Sequence, residues 1–214
     1  SGRNPPIPND ENISLFRNEG NLTFTHEFVI EDLYIAELQL IDTDQDGDLD
    51  IFDNDKEYFI NDGTGHFTRK TVPREPTGDA AIADYDADGD LDIIGYGSVH
   101  NIYLLRNRGN DTYQRILLFE NPYPPGLPVP KLFSSDFDLD GDIDVMHSCQ
   151  KLSWFENKGE LKFEIHHLHN FEGSTSFGGH VVDTDTDGDP DFIIVEAEGP
   201  VLYVNTENDP HILV

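Results

Sequence analysis

Four short loops carry aspartate at every second position, and they hold the side chains of this chain best suited to chemistry. They read DTDQDGDLD, DYDADGDLD, DFDLDGDID and DTDTDGDPD and begin at residues 42, 84, 136 and 183; we number them loops 1 to 4. A hard cation such as Ca²⁺ takes six to eight oxygen ligands at about 2.3–2.6 Å. Alternating aspartates can turn several carboxylates to one centre, and the glycine at the sixth position permits the sharp bend. The sequence therefore predicts one calcium site in each loop.

The predicted ligands occupy the first, third, fifth, seventh and ninth positions of each loop. We expect the seventh residue to donate its backbone carbonyl and the other four to donate carboxylates. The full predicted set, for four Ca²⁺ ions, is Asp42, Asp44, Asp46, Asp48 and Asp50; Asp84, Asp86, Asp88, Asp90 and Asp92; Asp136, Asp138, Asp140, Asp142 and Asp144; and Asp183, Asp185, Asp187, Asp189 and Asp191.

An EF-hand is the obvious rival, because its loop also begins Asp-x-Asp-x-Asp-Gly. It needs a bidentate glutamate at the twelfth position and helices on both sides. The twelfth residues here are Asp53, Gly95, His147 and Ile194, and strand-like segments flank all four loops. The sequence therefore excludes the EF-hand fold.

The overall charge supports a role for a cation. The chain has 43 acidic and 13 basic residues, a formal charge of −30. Like charges a few ångströms apart repel by on the order of 1 kcal/mol or more per pair at an effective dielectric near 20, so we expect loops without metal to be disordered. The same charge would repel nucleic acid and anionic membrane surfaces, and no run of about 18 apolar residues exists to enter a membrane. The lone Cys149 excludes an intrachain disulfide.

The elements around the loops repeat as well. Successive loops start 42, 52 and 47 residues apart (84 − 42, 136 − 84 and 183 − 136), which is the size of a propeller blade. An apolar run precedes each loop, and a β-branched or aromatic run follows it. A third strand then ends at Asn and Gly residues typical of hairpin turns, before a fourth strand. We find no convincing amphipathic helix. The Pro-rich residues 121–130 explain the long spacing and predict an exposed inter-blade loop.

The sequence therefore predicts an all-β fold, a β-propeller of four complete four-stranded blades with a two-stranded N-terminal half blade. We place an N-terminal tail at 1–12 and the propeller at 13–214, with the half blade at 13–30 and the blades at roughly 34–72, 78–119, 131–168 and 178–214. If C-terminal strands do not complete the half blade, the chain is part of a larger propeller or a second chain closes the ring by self-association.

The loops, together with WFENKG at 154–159 and YFINDGTGHF at 58–67, resemble the FG-GAP/VCBS repeat family over nearly the whole chain, from about Ile13 to Val214. The resemblance implies that each acidic loop joins the first two strands of a propeller blade and binds calcium, as in integrin α-subunit heads and many secreted bacterial proteins. Two departures are visible. A Phe-Gly pair precedes only the fourth loop, at Phe177-Gly178, and Pro190 replaces the Leu or Ile of the other loops.

Histidine and tryptophan residues offer further hypotheses. His166, His167 and His169 lie close in sequence to His180, and strand alternation predicts that His167 and His169 share a face, where they could bind zinc or serve a lyase. The plainer interpretation is that they are polar residues on a strand face. Trp154 could stack on a sugar, but its third-strand position favours the core.

These observations favour an extracellular calcium-binding module, secreted or on the cell surface. Such loops suit settings where calcium is near millimolar, and the family resemblance implies an adhesive scaffold whose inter-blade loops bind a glycan or a protein. We find no Gly-x-Ser-x-Gly, Walker loop or Cys-His arrangement, so we predict no catalytic residue. The alternative is the propeller portion of a secreted carbohydrate-active enzyme, either a polysaccharide lyase or a sugar dehydratase. A third hypothesis is a module that only stiffens a longer surface protein.

Overall fold

A computed structural model describes residues 13–30, 38–53, 57–72, 79–97, 101–110, 112–120, 131–148, 151–171, 178–196, 199–206 and 209–213. Within these ranges all regular structure is β-strand. The predicted N-terminal tail, the Pro-rich loop and Phe177 lie outside the described residues. The chain divides into two compact units, Ser1–Val72 and Pro73–Val214.

The first unit contains a hairpin and one four-stranded sheet. The hairpin pairs β1 (Ile13–Gly20) with β2 (Thr23–Ile30), and the sheet, blade 1, has the order β3 (Leu38–Ile41), β4 (Asp50–Asp53), β5 (Glu57–Asn61) and β6 (Phe67–Thr71). Both are antiparallel. The hairpin confirms the predicted two-stranded N-terminal element.

The second unit contains three further sheets and a short ribbon. Blade 2 consists of β7 (Ala80–Ala83), β8 (Asp92–Tyr96), β9 (Ile102–Asn107) and β10 (Tyr113–Phe119). Blade 3 consists of β11 (Lys131–Ser135), β12 (Asp144–Ser148), β13 (Lys151–Asn157) and β14 (Phe163–Asn170). Blade 4 consists of β15 (Gly179–Val182), β16 (Asp191–Glu196) and β17 (Gly199–Tyr203), and it is followed by β18 (Asn205–Thr206) paired with β19 (Asp209–Leu213). In each blade the acidic loop joins the first two strands. These antiparallel meanders confirm the predicted all-β propeller fold.

Blade 4 departs from the four-stranded pattern. Its third strand stops at Tyr203, and the next two strands, β18 and β19, pair with each other in a separate ribbon. In blades 1 to 3 the asparagine at the end of the third strand pairs with the residue six positions later in the chain. Asn205, the equivalent asparagine of blade 4, pairs instead with Leu213. The different turn changes the pairing of the last strand.

The apolar core of the second unit lies between neighbouring blades. One cluster joins blades 2 and 3 and includes Val145 and Phe155, and a second joins blades 3 and 4 and includes Met146 and Trp154. Adjacent residues of β12 and of β13 thus belong to different clusters, because successive side chains of a strand point to opposite faces. Both faces of β12 and β13 are therefore buried, which explains the continuous apolar runs of these two strands. Trp154 is 2% exposed, so its predicted core position is confirmed.

Among the described residues, no helix has the length and apolar character required to cross a membrane.

Candidate metal centres

The four acidic loops share one backbone conformation. The fourth residue of each loop has a φ between 55° and 65°, and the glycine at the sixth position has a φ between 95° and 100°. This left-handed region is costly for residues other than glycine. The predicted need for glycine at the bend is therefore met at the same position in all four loops.

The first aspartate of each loop holds the bend by accepting backbone hydrogen bonds. In loop 1 the Asp46 N–H donates to Asp42 Oδ1 at 3.1 Å and the Gly47 N–H donates to Asp42 Oδ2 at 3.0 Å. Loops 2 and 3 repeat this pair of bonds. Loop 4 keeps the glycine bond, at 3.2 Å, but takes its other bond from the Thr186 N–H, one residue earlier. The loop that contains Pro190 therefore differs slightly and retains its overall turn.

The ninth aspartate is buried and connects the loop to the third strand of its blade. In loop 1 one Asp50 oxygen accepts from the Thr43 N–H at 2.8 Å, and the other accepts from the Asn61 N–H at 2.7 Å. Loops 2 and 3 repeat both connections. In loop 4 the second donor, the Asn205 N–H, lies in β18, just beyond the end of the third strand. All four of these aspartates are fully buried, at 0% exposure. Each therefore sets the position of its loop relative to the sheet.

The third aspartate completes a cluster with the first and the ninth. In every loop these three residues each offer a carboxylate oxygen, and the three oxygens lie within 4.8 Å of one another. Oxygens that share a calcium ion at about 2.3–2.6 Å can be separated by at most about twice that distance. The triads fit a hard divalent cation on this geometric ground. They are Asp42, Asp44 and Asp50; Asp84, Asp86 and Asp92; Asp136, Asp138 and Asp144; and Asp183, Asp185 and Asp191.

The structure leaves the fifth and seventh aspartates outside these clusters. The fifth residue accepts a hydrogen bond from the N–H of the seventh, at 2.9–3.2 Å across the four loops. In loops 1 to 3 the seventh carboxylate lies near the turn after the third strand: a Cβ added to Gly63 would overlap the Asp48 carboxylate, and one added to Gly159 would lie 3.2 Å from Asp142 Oδ2. The ligand roles predicted for these positions therefore stay predictions.

Crowding and burial hold several loop carboxyls above their ordinary pKa. Burial raises the pKa of Asp92 and of Asp144 to about 7. Burial, followed by the charge of Asp140, raises the pKa of Asp138 to about 6. The pKa of Asp44 is also raised, first by burial and then by Asp46. A cation placed among these groups would oppose this effect by stabilising their charged form.

Sequence reasoning missed a second role for the asparagine that ends the third strand. The Asn157 side chain is fully buried, and its Nδ2 donates to Ile143 O of loop 3 at 3.2 Å and to Tyr85 O of loop 2 at 2.9 Å. Asn205 donates in the same way to Phe137 O of loop 3, at 2.9 Å. The sequence signal was the repeated Asn, which predicted only a turn. These side chains link the acidic loops of neighbouring blades.

The predicted histidine pair does not form. A β-bulge between Leu152 and Ser153 pairs His169 with Leu152 and His167 with Ser153. Because Leu152 and Ser153 are consecutive in β13 and face opposite sides, His167 and His169 also face opposite sides. The prediction that they share a face was wrong, since simple alternation assumes an unbroken register.

Other histidines contact groups on blade 3. His166 Nε2 lies 2.7 Å from Glu156 Oε2, in a cluster with Glu164. Lys158 also pairs with Glu156, so this group is an ion-pair network on the blade. His147 packs against Tyr96 and a second aromatic ring, and its burial lowers its pKa to about 3.

Comparison with known proteins agrees with the fold and with the repeat. Residues 42–95, which span loops 1 and 2, match the model of the FG-GAP-like repeat, and this confirms the resemblance in that segment. A similar solved structure is that of an Agrocybe aegerita lectin that specifically recognises non-reducing terminal N-acetylglucosamine; the TM-score is 0.66 and the identity 19%, over 92% of this chain and 58% of the lectin chain. The chain thus spans less than two thirds of the lectin. No curated protein matches significantly.

Proposed function

We propose that this chain is an extracellular, non-catalytic β-propeller module with four structural calcium sites, and that its inter-blade loops bind a glycan. The observation that carries the proposal is the recurrence of one carboxylate triad, with one backbone conformation, in all four acidic loops. A solvated acidic turn has no reason to keep the same three oxygens close together four times. The abundance of calcium outside cells suits sites of this class.

The calcium sites would act on stability through the contacts that each loop makes. The ninth aspartate joins the loop to its own third strand, as Asp144 does with the Asn157 N–H at 2.7 Å. The Asn157 side chain then joins this strand to loop 2 of the preceding blade. When bound, calcium supplies positive charge that offsets repulsion among the loop carboxylates. A loop held in this shape positions the backbone carbonyl that accepts the hydrogen bond from the asparagine of the next blade, as Tyr85 O accepts from Asn157 Nδ2.

The glycan proposal draws on the comparison with the lectin. The similarity extends over 92% of this chain, and the lectin recognises a terminal sugar. A propeller supplies a rigid scaffold on which loops between blades can differ and bind ligands. We therefore expect binding of a carbohydrate through these loops, without cleavage of it.

The histidines on which the enzymatic alternative depends give it little support. His167 Nδ1 lies 3.0 Å from Ser153 Oγ, which resembles a base beside a nucleophile. Ser153 is fully buried at 0% exposure, so a polysaccharide has no access to its hydroxyl. His180 lies on β15, where it pairs with Ile193. We therefore favour binding over catalysis.

A glycan array with matched loop variants tests the proposal. The wild-type chain should bind a subset of glycans in millimolar calcium and lose most of that binding in EGTA. Asp138→Asn, which removes a triad carboxylate from loop 3, should weaken binding and lower the number of bound calcium ions by one. Glu160→Gln, at an exposed site outside the triads, should change neither.

Two results would contradict the proposal. Turnover of acidic polysaccharides that is lost in His167→Ala would favour the enzyme. Glycan binding of equal strength in calcium and in EGTA, with no bound calcium detected by mass spectrometry of the intact protein, would contradict the proposal that the loops are calcium sites.

A further inference from the structure

One strand position beside the acidic loops differs between the repeats in a way that the loop motif does not reveal. It is the residue just before the asparagine whose N–H donates to the ninth aspartate of the loop: Ile60 in blade 1, Arg106 in blade 2, Glu156 in blade 3 and Val204 in blade 4. The loop sequences alone predict four equivalent sites. This neighbouring position is apolar in two blades, cationic in one and anionic in one.

Arg106 reaches into the carboxylates of loop 2. Its Nε forms an ion pair with the Asp86 carboxylate, and its Nη2 lies 3.3 Å from Asp88 Oδ2. The Asp86 side chain is only 6% exposed and that of Arg106 is 24% exposed, so water has limited direct access to this pair. The guanidinium therefore supplies a fixed positive charge inside the loop.

The carboxylate that Arg106 engages belongs to the candidate calcium triad. Asp86 offers one of the three clustered oxygens of loop 2, together with Asp84 and Asp92. A divalent cation at this triad would either displace the guanidinium from Asp86 or sit close to a like charge. Both alternatives weaken binding, because two positive charges a few ångströms apart repel strongly where screening is poor.

The equivalent residues of the other blades impose no such competition. Ile60 and Val204 carry no charge. Glu156 carries the opposite charge, which repels the Asp138 carboxylate of loop 3. The Glu156 side chain also pairs with Lys158 and His166. Among the four repeats, only blade 2 therefore has a cationic residue at this strand position.

We infer that Arg106 is a built-in counter-cation of loop 2, so that the second site binds calcium about tenfold or more weakly than the other three. The inference rests on the proposed calcium function of the loops and adds that the sites are unequal. It also predicts that loop 2 holds its shape with less dependence on metal than loops 1, 3 and 4. Arg106 acts here as an affinity-determining residue and is not itself a ligand.

A calcium titration of reciprocal variants tests the inference. The chelator-treated full chain is titrated against a chromophoric calcium indicator, as wild type, as Arg106→Ile and as Ile60→Arg. The wild type should show three tight sites and one about tenfold weaker. Arg106→Ile should show four tight sites, and Ile60→Arg, which places the arginine beside loop 1, should show two tight sites.

Thermal unfolding in EGTA provides a readout that does not depend on bound calcium. Without metal, Arg106→Ile should unfold at a lower temperature than wild type, because loop 2 loses its counter-cation. In saturating calcium the order should reverse or the difference should vanish. If Arg106→Ile does not fold, Ile60→Arg still tests the inference, because this variant should have one tight site fewer than the wild type.

The possible failures are distinguishable. Four equal sites in the wild type, unchanged in both variants, would overturn the role of Arg106 and leave the calcium function intact. A wild-type chain that binds no calcium at all would overturn the proposed function and this inference with it.

Discussion

At the scale of single residues, Asn157 shows how one buried side chain can connect two acidic loops. Its backbone N–H donates to Asp144, its Nδ2 donates to Ile143 O and Tyr85 O, and its Oδ1 accepts from the Gly159 N–H at 3.2 Å. An amide is suited to this place because it donates and accepts without adding charge to an acidic region. Aspartate would supply no donor.

We predict that Asn157→Ala lowers the free energy of unfolding by about 1–3 kcal/mol, because it leaves buried carbonyls without their donor. Asn61→Ala is the matched control, since Asn61 is partly exposed and its side-chain bond to Leu49 O can be replaced by water. Urea unfolding in calcium measures both. Equal losses in the two variants would contradict the connecting role of Asn157.

The buried carboxyls predict an unusual dependence of stability on pH. Burial raises the pKa of Asp92 and Asp144 to about 7 in the folded chain, from an unfolded value of about 3.9. Folding therefore binds protons between these values, and this contribution to stability is complete below about pH 4 and is lost as the pH rises towards 7.

In EGTA, the unfolding temperature should therefore fall as the pH is raised from about 5 to about 7.5. In saturating calcium the trend should reverse, because metal ligands must be deprotonated and calcium affinity rises with pH. Calorimetric scans at several pH values test both trends. An unfolding temperature in EGTA that stays constant or rises over this pH range would contradict the raised pKa of these two carboxyls.

At the scale of elements, the two central strands of blade 3, β12 and β13, are buried on both faces and contribute to both apolar clusters of the second unit. Phe155 is fully buried and belongs to the cluster shared with blade 2, while its neighbour Trp154 belongs to the cluster shared with blade 4. One strand thus stabilises two blade contacts.

Phe155→Ala should lower the free energy of unfolding by about 3–5 kcal/mol, through lost burial and the cavity left behind. The control is Leu117→Ala, at a side chain that is 43% exposed on β10, for which we expect less than about 1 kcal/mol. Chemical denaturation of both variants provides the comparison. A loss of less than about 1 kcal/mol in Phe155→Ala would show that the contact between blades 2 and 3 contributes little.

The sequence predicted most elements because the Asp-Gly loops and the apolar runs are local signals. The strands that flank loop 3, for example, follow directly from the runs before Asp136 and after Asp144. The β-bulge beside His167 and the separate β18–β19 ribbon were not predicted, because register shifts depend on the partner strand. The contact from Asn157 to Tyr85 spans 72 residues and depends on how blades pack.

At the scale of the whole molecule, the central problem is a formal charge of −30 on a fold built from four acidic repeats. Self-repulsion of this size opposes compaction. Four calcium ions would add eight positive charges at the points where carboxylates are most crowded, and the chain would remain acidic. On the proposed function each site would form only in the folded loop, and the free energy of calcium binding would then add to the free energy of folding.

The most direct test of this account is the unfolding temperature of the chain in millimolar calcium and in EGTA, with magnesium as the control cation. Calcium at about 100 times its dissociation constant stabilises by about 2.7 kcal/mol per site, so we expect calcium to raise the unfolding temperature by about 10 °C or more and magnesium to raise it much less. An unfolding temperature that is the same in calcium and in EGTA would contradict the claim that the four loops hold structural calcium.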